Sequence, residues 1–265
     1  MCGSTVPIPV RAPDGVSAAR DPAGWQPANW HAPAGVHAGT TTRRGGSSRA
    51  PFSAFNLAQH VGDESEAVAR NRAQLRRMLE LPDEPLWLRQ VHGVRVARHD
   101  GRLIEPEADA AVAFERGRVL AVLTADCLPV VLAGTDGARI GIAHAGWRGL
   151  AAGVLEATVA ALDAPASRLC AWLGPAIGPA AFEVGDEVRA TFVAANPAAA
   201  GAFVANARGR WQADLYALAR LRLAAIGVDR IEGGGECTRG DGERFYSFRR
   251  EAVTGRMATL AWLGP

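Results

Sequence analysis

The residues best equipped for chemistry are six histidines and four cysteines, Cys2, Cys127, Cys170 and Cys237. Three histidines stand in segments dense in Gly, Asn, Asp or Gln: Arg89-Gln90-Val91-His92-Gly93, Ala143-His144-Ala145-Gly146-Trp147-Arg148-Gly149, and the stretch 56–63 that carries Asn56 and His60. Glycine beside a polar side chain lets backbone come close to a ligand. Cys127 follows Thr124-Ala125-Asp126 and precedes Pro129, where a charge interrupts an apolar strand. A carboxylate buried there needs a partner to offset its desolvation. For any one of these histidines taken alone, a hydrogen-bonded core or edge residue is the stronger reading, and buried cysteines are commonly inert.

Local structure brings two of these residues together. The apolar runs 119–133 and 139–145 flank Gly134-Thr135-Asp136-Gly137, a hairpin signal. A turn centred near Asp136 sets residue 128 opposite residue 144, so Cys127 and His144 become near cross-strand neighbours at the open end of the ribbon. Directly opposed Cβ atoms lie roughly 5 Å apart, a span over which two side chains can share one metal. The same spacing suits a metal-free thiol nucleophile with a histidine base.

The elements around them read as strands at 35–43 and 86–97, the latter carrying His92, and helices at 65–81 and 149–162. A short strand at 169–173 runs into the rigid loop 174–179. Helices follow at 185–195 and 214–226, with strands near 228–232, 245–249 and 257–262. Without strict βαβ alternation this is a layered α/β or α+β domain with a mixed sheet. Residues 1–34, rich in Pro, Ala and Gly, read as a leader that covers the domain or is partly mobile, and 35–265 as one catalytic domain.

Composition narrows the function classes. A chain of 265 residues with 48% hydrophobic residues can bury a large core. Net charge is +2 with both signs interspersed, so no basic stripe for nucleic acid stands out. All 29 basic residues are Arg, which removes Schiff-base and P-loop lysine chemistry and leaves any phosphate to guanidinium forks, helix N-termini or backbone amides. Scattered cysteines imply reduced thiols, and no window reaches the ~18 apolar residues of a membrane span. A cytoplasmic protein with neither nucleic-acid nor membrane partner is expected, as monomer or homodimer.

Gln90-Val91-His92-Gly93, Thr124-Ala125-Asp126-Cys127-Leu128-Pro129 and His144-Ala145-Gly146-Trp147-Arg148-Gly149 resemble the signature of the YfiH-type laccase-domain family. Phe182-Glu183-Val184-Gly185, Cys237-Thr238 and Phe245-Tyr246-Ser247-Phe248-Arg249-Arg250 agree in the same order. The resemblance implies a single three-layer α/β/α domain and a metal held by His92, Cys127 and His144. Two imidazoles and a thiolate suit zinc, with copper as the other candidate, and three protein ligands leave a fourth position for water.

It further implies a purine nucleoside phosphorylase acting on adenosine, inosine, guanosine and methylthioadenosine, with adenosine deaminase activity. Deamination needs an activated water and a proton shuttle, for which Asp126 and Glu183 are candidates. Arg148 is the first choice for phosphate, with Arg43 and Arg249 next. His60 and Asn56 either orient the sugar or base or cap a turn before the first helix. The competing readings are a metal-free Cys–His hydrolase, an editing hydrolase acting on cell-wall precursors, and a copper polyphenol oxidase. The last needs several coppers, and six scattered histidines without a His-x-His pair are few for that.

Overall fold

The long apolar run from Val119 to Ala145 is buried on both faces, which requires cover on each side of the strands. The computed structural model describes residues 24–102 and 104–264. In chain order the elements are β1 (Trp25–Pro27), β2 (Val36–Thr41), α1 (Ser65–Met78), β3 (Val96–Arg98), β4 (Ala110–Ala113), β5 (Val119–Thr124), β6 (Leu128–Gly134) and β7 (Ile140–Ala145). They continue with α2 (Trp147–Ala152), α3 (Val154–Ala161), β8 (Leu169–Leu173), β9 (Glu183–Val184), α4 (Asp186–Ala195), β10 (Phe203–Ala205), β11 (Trp211–Ala213), α5 (Leu215–Ala225), β12 (Arg230–Gly233) and β13 (Met257–Leu263).

Two large sheets result. One has the order β1-β2-β13-β5, antiparallel throughout; the other, β12-β8-β6-β7-β4-β3, mixes parallel outer pairs with antiparallel inner ones. A small ribbon β10-β11-β9 stands apart from them. Strand side chains alternate between faces, and each face of β5 has its own partner. Leu120 and Val122 join Ala261 and Leu263 against Val131, Ile140, Ile142 and Trp172 of the second sheet. Val119, Ala121 and Leu123 turn the other way, to Leu75 of α1 with Phe55, Leu57 and Trp87. Beyond the second sheet, Leu155, Phe192, Leu218 and Leu223 of α3, α4 and α5 cover Leu128, Val130, Leu132 and Leu173. The fold is α/β with mixed-direction strands and helices outside, and its β layer is double.

Several elements differ from the sequence expectation. The hairpin pairs Leu128 with Ala145 and Pro129 with His144, one residue from the expected register, because Gly137 at φ 67° extends the turn. The helix expected over 149–162 is two helices, broken where Gly153 adopts φ 102°. Residues 86–97 are not one strand: isolated bridges at Leu86 and Arg89 precede β3, and His92 lies in a bend at φ 61°. The strand expected at 245–249 is irregular: the consecutive residues Phe245 and Tyr246 are both buried, in one cluster with Ala125 and Met257, and Tyr246 Oη donates to the Phe52 carbonyl. Of the expected leader, residues 1–23 lie outside the described residues, whereas Trp25–Pro27 is the edge strand β1 and Trp30 packs against the core between the sheets.

Ile142 sits wholly buried where the two sheets meet. Ile142→Ala should cost about 2–5 kcal/mol of stability and lower the urea midpoint, whereas Val204→Ala, at a position 67% exposed, should stay within about 0.5 kcal/mol.

Candidate functional site

The ends of β5, β6 and β7 and the bend at 91–93 meet at one edge of the double β layer. Because Pro129 pairs with His144, Cys127 lies just before the start of β6, level with Gly146 just after the end of β7. A Cβ on Gly146 would stand 2.9 Å from Cys127 Sγ and 3.0 Å from His92 Cδ2, so only glycine fits. The chain turns from β5 into β6 through Asp126, whose φ of 93° is costly for a residue with a side chain. Three segments hold it there: Asp126 Oδ1 accepts from Thr238 Oγ1 (2.7 Å), Oδ2 from the Arg249 amide (2.7 Å), and its carbonyl from the Ile177 amide (2.9 Å).

Asp109, fully buried, organises the other side. Its carboxylate accepts from the amides of Val91 (3.1 Å), His92 (2.8 Å) and Gly93 (2.7 Å), and from His144 Nδ1 (2.9 Å). Burial pushes this carboxyl up, but the His144 contact and the loop amides outweigh it and hold it below the usual carboxylate range. Asp109 thereby stabilises the left-handed backbone of His92 and fixes a proton on His144 Nδ1, leaving Nε2 as the free donor atom.

One ligand atom each from His92, Cys127 and His144 lies within 4.8 Å of the others. Cys127 Sγ is 3.9 Å from His92 Nε2, and the two imidazole rings meet edge to face with centroids 4.8 Å apart. Burial would raise the Cys127 thiol, yet His144 and His92 bring it down to about 6. Burial lowers His144, and Cys127 and Asp109 more than reverse this, to about 9. Both shifts favour the thiolate and imidazolium forms in the metal-free site; a metal ion would need His144 neutral and would release its proton. Zinc bonds of about 2.0–2.3 Å at tetrahedral angles put S and N about 3.5 Å apart, so the group fits a metal with a small closure.

The three donors line a cavity of about 250 Å³ with His60, Gln90, Phe248 and Arg256. Gln90 is fixed there because its amide pairs with both main-chain groups of Leu123, at 2.9 and 2.7 Å, as a neighbouring strand would. His60 is displaced toward neutrality by partial burial and then by Arg256.

Of the residues singled out in the sequence, His92, Cys127, His144 and His60 come together, and the others lie elsewhere. Asp126 sits behind Cys127 with both oxygens committed. Asn56 is fully buried, with its amide bonded to the Ala58 main chain, Asp63 and the Arg256 amide. Glu183 accepts from Asn206 Nδ2 (2.8 Å) and pairs with Arg208. Arg43 donates to the Ser53 and Gly242 carbonyls and stacks on Tyr246. Arg249 reaches the Glu183 carbonyl (2.8 Å) and stacks on Phe182. Arg148 is exposed over Trp147, inside α2 rather than ahead of it. That helix has six residues, too few for the anion site imagined at its start. Asp109 and Arg256 were not singled out in the sequence, and Gln90 and Phe248 appeared there only as motif members without a role. Asp109 carried a signal, since a lone carboxylate in the apolar run 108–113 needs a partner, by the argument applied to Asp126.

Residues 37–264 match the family described as multi-copper polyphenol oxidoreductase laccase. A Pseudomonas aeruginosa protein named purine nucleoside phosphorylase is 53% identical over 241 residues, covering 90% of this chain and 98% of its own. Escherichia coli purine nucleoside phosphorylase YfiH is 47% identical over 235 residues, covering 88% and 96%. Among solved structures, a Neisseria meningitidis protein superposes with a TM-score of 0.88 at 44% identity, over 91% of this chain and all of that one. YlmD from Geobacillus stearothermophilus gives 0.82 at 31% identity, over 88% and 93%.

The lowered Cys127 thiol makes a pH prediction. In metal-stripped protein, iodoacetamide labelling of Cys127, read by peptide mass spectrometry, should rise through a midpoint near pH 6 and level off above it. His144→Ala should move that midpoint upward by more than one pH unit, that is, by more than about 1.4 kcal/mol of lost thiolate stabilisation.

Proposed function

The chain belongs to the multi-copper polyphenol oxidoreductase laccase family, and from that membership we propose that it is a purine nucleoside phosphorylase with one zinc ion per chain. The observation that carries the reading is the His92, Cys127 and His144 group opening onto a cavity, in a chain whose near full-length relatives bear the phosphorylase name. Among the described residues it is the one such group of three donors, whereas four-electron oxygen reduction needs several coppers. His92, Cys127 and His144 would hold the zinc, which when bound supplies a Lewis acid and lowers the pKa of bound water.

The chain's own residues bind and orient. Phe248, 52% exposed at the cavity rim, offers a face on which a purine can stack. His60, neutral near pH 7, can exchange hydrogen bonds with ribose hydroxyls. In the reaction a hydrogenphosphate oxygen bonds to C1′ and the C1′–N9 pair leaves with the purine. The proton given up by hydrogenphosphate ends on the purine nitrogen, giving free base and ribose 1-phosphate. We extend the reading to adenosine, inosine, guanosine and methylthioadenosine, with adenosine deamination as a side activity. The carboxylates expected to shuttle its proton, Asp126 and Glu183, do not line the cavity, which leaves that role to His60. Free thiols at Cys127, Cys170 and Cys237 fit a reducing compartment, and we place the enzyme in the cytoplasm.

The Cys127 and His144 ion pair also supports a second reading, a metal-free thiol hydrolase. Incubating the protein with each nucleoside, with and without phosphate, and identifying products chromatographically separates the two. Free base should form only with phosphate, stop on exhaustive chelation, and disappear in Cys127→Ser. Activity that survives chelation but not alkylation selects the thiol hydrolase, and neither base nor inosine from any nucleoside ends the nucleoside reading. Asp109→Asn, which loses the anionic anchor of His144, should weaken zinc binding about 10–100-fold in a chelator competition.

A further inference from the structure

Arg256 is the one arginine that lines the cavity of the three donors, and no carboxylate among the described residues forms an ion pair with it. A guanidinium taken partly out of water ordinarily meets a carboxylate. Here Nη1 donates to the Thr254 carbonyl (2.8 Å) and the Gly255 carbonyl (3.0 Å), both neutral. Burial weakens its hold on its proton, and the negative charges it feels are those of Cys127 and Asp126.

The surroundings hold a second arginine, Arg72, which acts on His60 in the same sense as Arg256, while Glu105 acts in the opposite sense. The Arg256 amide donates to Asn56 Oδ1 (2.9 Å) and its carbonyl accepts from the Leu57 amide (3.4 Å), which ties it to the loop that brings His60 into the same cavity. On the far side of that loop Arg72 donates through Nε to the Leu57 carbonyl (3.0 Å) and lies flat on Trp87, 3.9 Å from the ring centroid. Arg72 also lacks an ion pair among the described residues, and its nearest acidic influences are Glu105 and Glu84. The arginines expected for phosphate, Arg43, Arg148 and Arg249, are outside the cavity lining.

We propose that Arg256, with His60 beside it and Arg72 reinforcing it from behind the 56–60 loop, forms the subsite for the phosphate co-substrate. The Arg256 fork binds the dianion through the donors that Thr254 and Gly255 leave free, and Phe248 and the three donors leave room for the nucleoside. This assignment rests on the phosphorylase reading only for the identity of the reaction; the anion site stands on the unmatched guanidinium.

The test has two arms. In steady-state phosphorolysis of inosine, R256Q should raise the KM for phosphate about 10–100-fold, the loss expected for a charge-assisted hydrogen bond, while the KM for inosine stays within about twofold. R256K, which keeps the charge but loses the fork, should fall between wild type and R256Q. In the second arm, inorganic phosphate is titrated into the zinc-loaded full chain by calorimetry without nucleoside; binding should be seen in wild type, compete with sulfate, and vanish in R256Q. An unchanged phosphate KM in both variants, or equal phosphate binding by wild type and a folded R256Q or R256K, overturns the proposal. If no nucleoside is phosphorolysed but phosphate still binds through Arg256, the subsite stands and the phosphorylase reading falls.

Discussion

The site depends on one buried carboxylate. Asp109 receives four hydrogen bonds, three from consecutive amides of residues 91–93 and one from His144 Nδ1. A carboxylate with no exposure is tolerable only when its acceptor capacity is filled. Filling it forces the 91–93 segment to curl and sets the tautomer of His144. Two of the three donor side chains are thus aimed by the same anion, and the third is aimed by another, Asp126, whose oxygens are taken by Thr238 and the Arg249 amide. Both carboxylates act by positioning, and neither opens onto the cavity.

The double β layer is what makes such positioning firm. β5 belongs to one sheet and β6 to the other, so the link through Asp126 crosses between sheets at their shared edge. Side chains packed in the core between them, such as Leu120, Val122, Val131 and Ile142, leave the two strand ends little freedom to separate. A site on such ends inherits the rigidity of the core, while Phe248 and His60 are contributed by irregular segments outside the strands.

Much of this was legible in the sequence, and the pattern of what was not is physical. Long apolar runs with a Gly-rich interruption specified β6 and β7 to within one residue of register, because the period-two pattern and the turn constrain each other. The closeness of Cys127 to His144 followed from that alone. His92 entered by resemblance, since nothing local marks a bend whose shape is set by a carboxylate 17 residues away. Arg148 read as an anion binder because it follows His144 ahead of an expected helix N-terminus, with Arg43 and Arg249 as second choices. Each instead meets a carbonyl or an aromatic face, a choice made by tertiary contacts. Arg256 went unnoticed among Thr254, Gly255 and Met257 because an unmatched charge is defined by what is missing around it.

The positions of the three donors in the chain carry a consequence for assembly. His92, Cys127 and His144 are far apart in sequence, and their places are set by strand pairing and by the hydrogen bonds of buried Asp109. An unfolded chain therefore offers no local clip like the closely spaced ligands of a zinc finger, whose folding the metal drives. Here the donors are positioned by the protein's own hydrophobic and hydrogen-bonding contacts, and an ion that binds them would meet a formed receptacle. The architecture should stand with or without an ion at the three donors, so that binding of a metal and formation of the fold would be separate events.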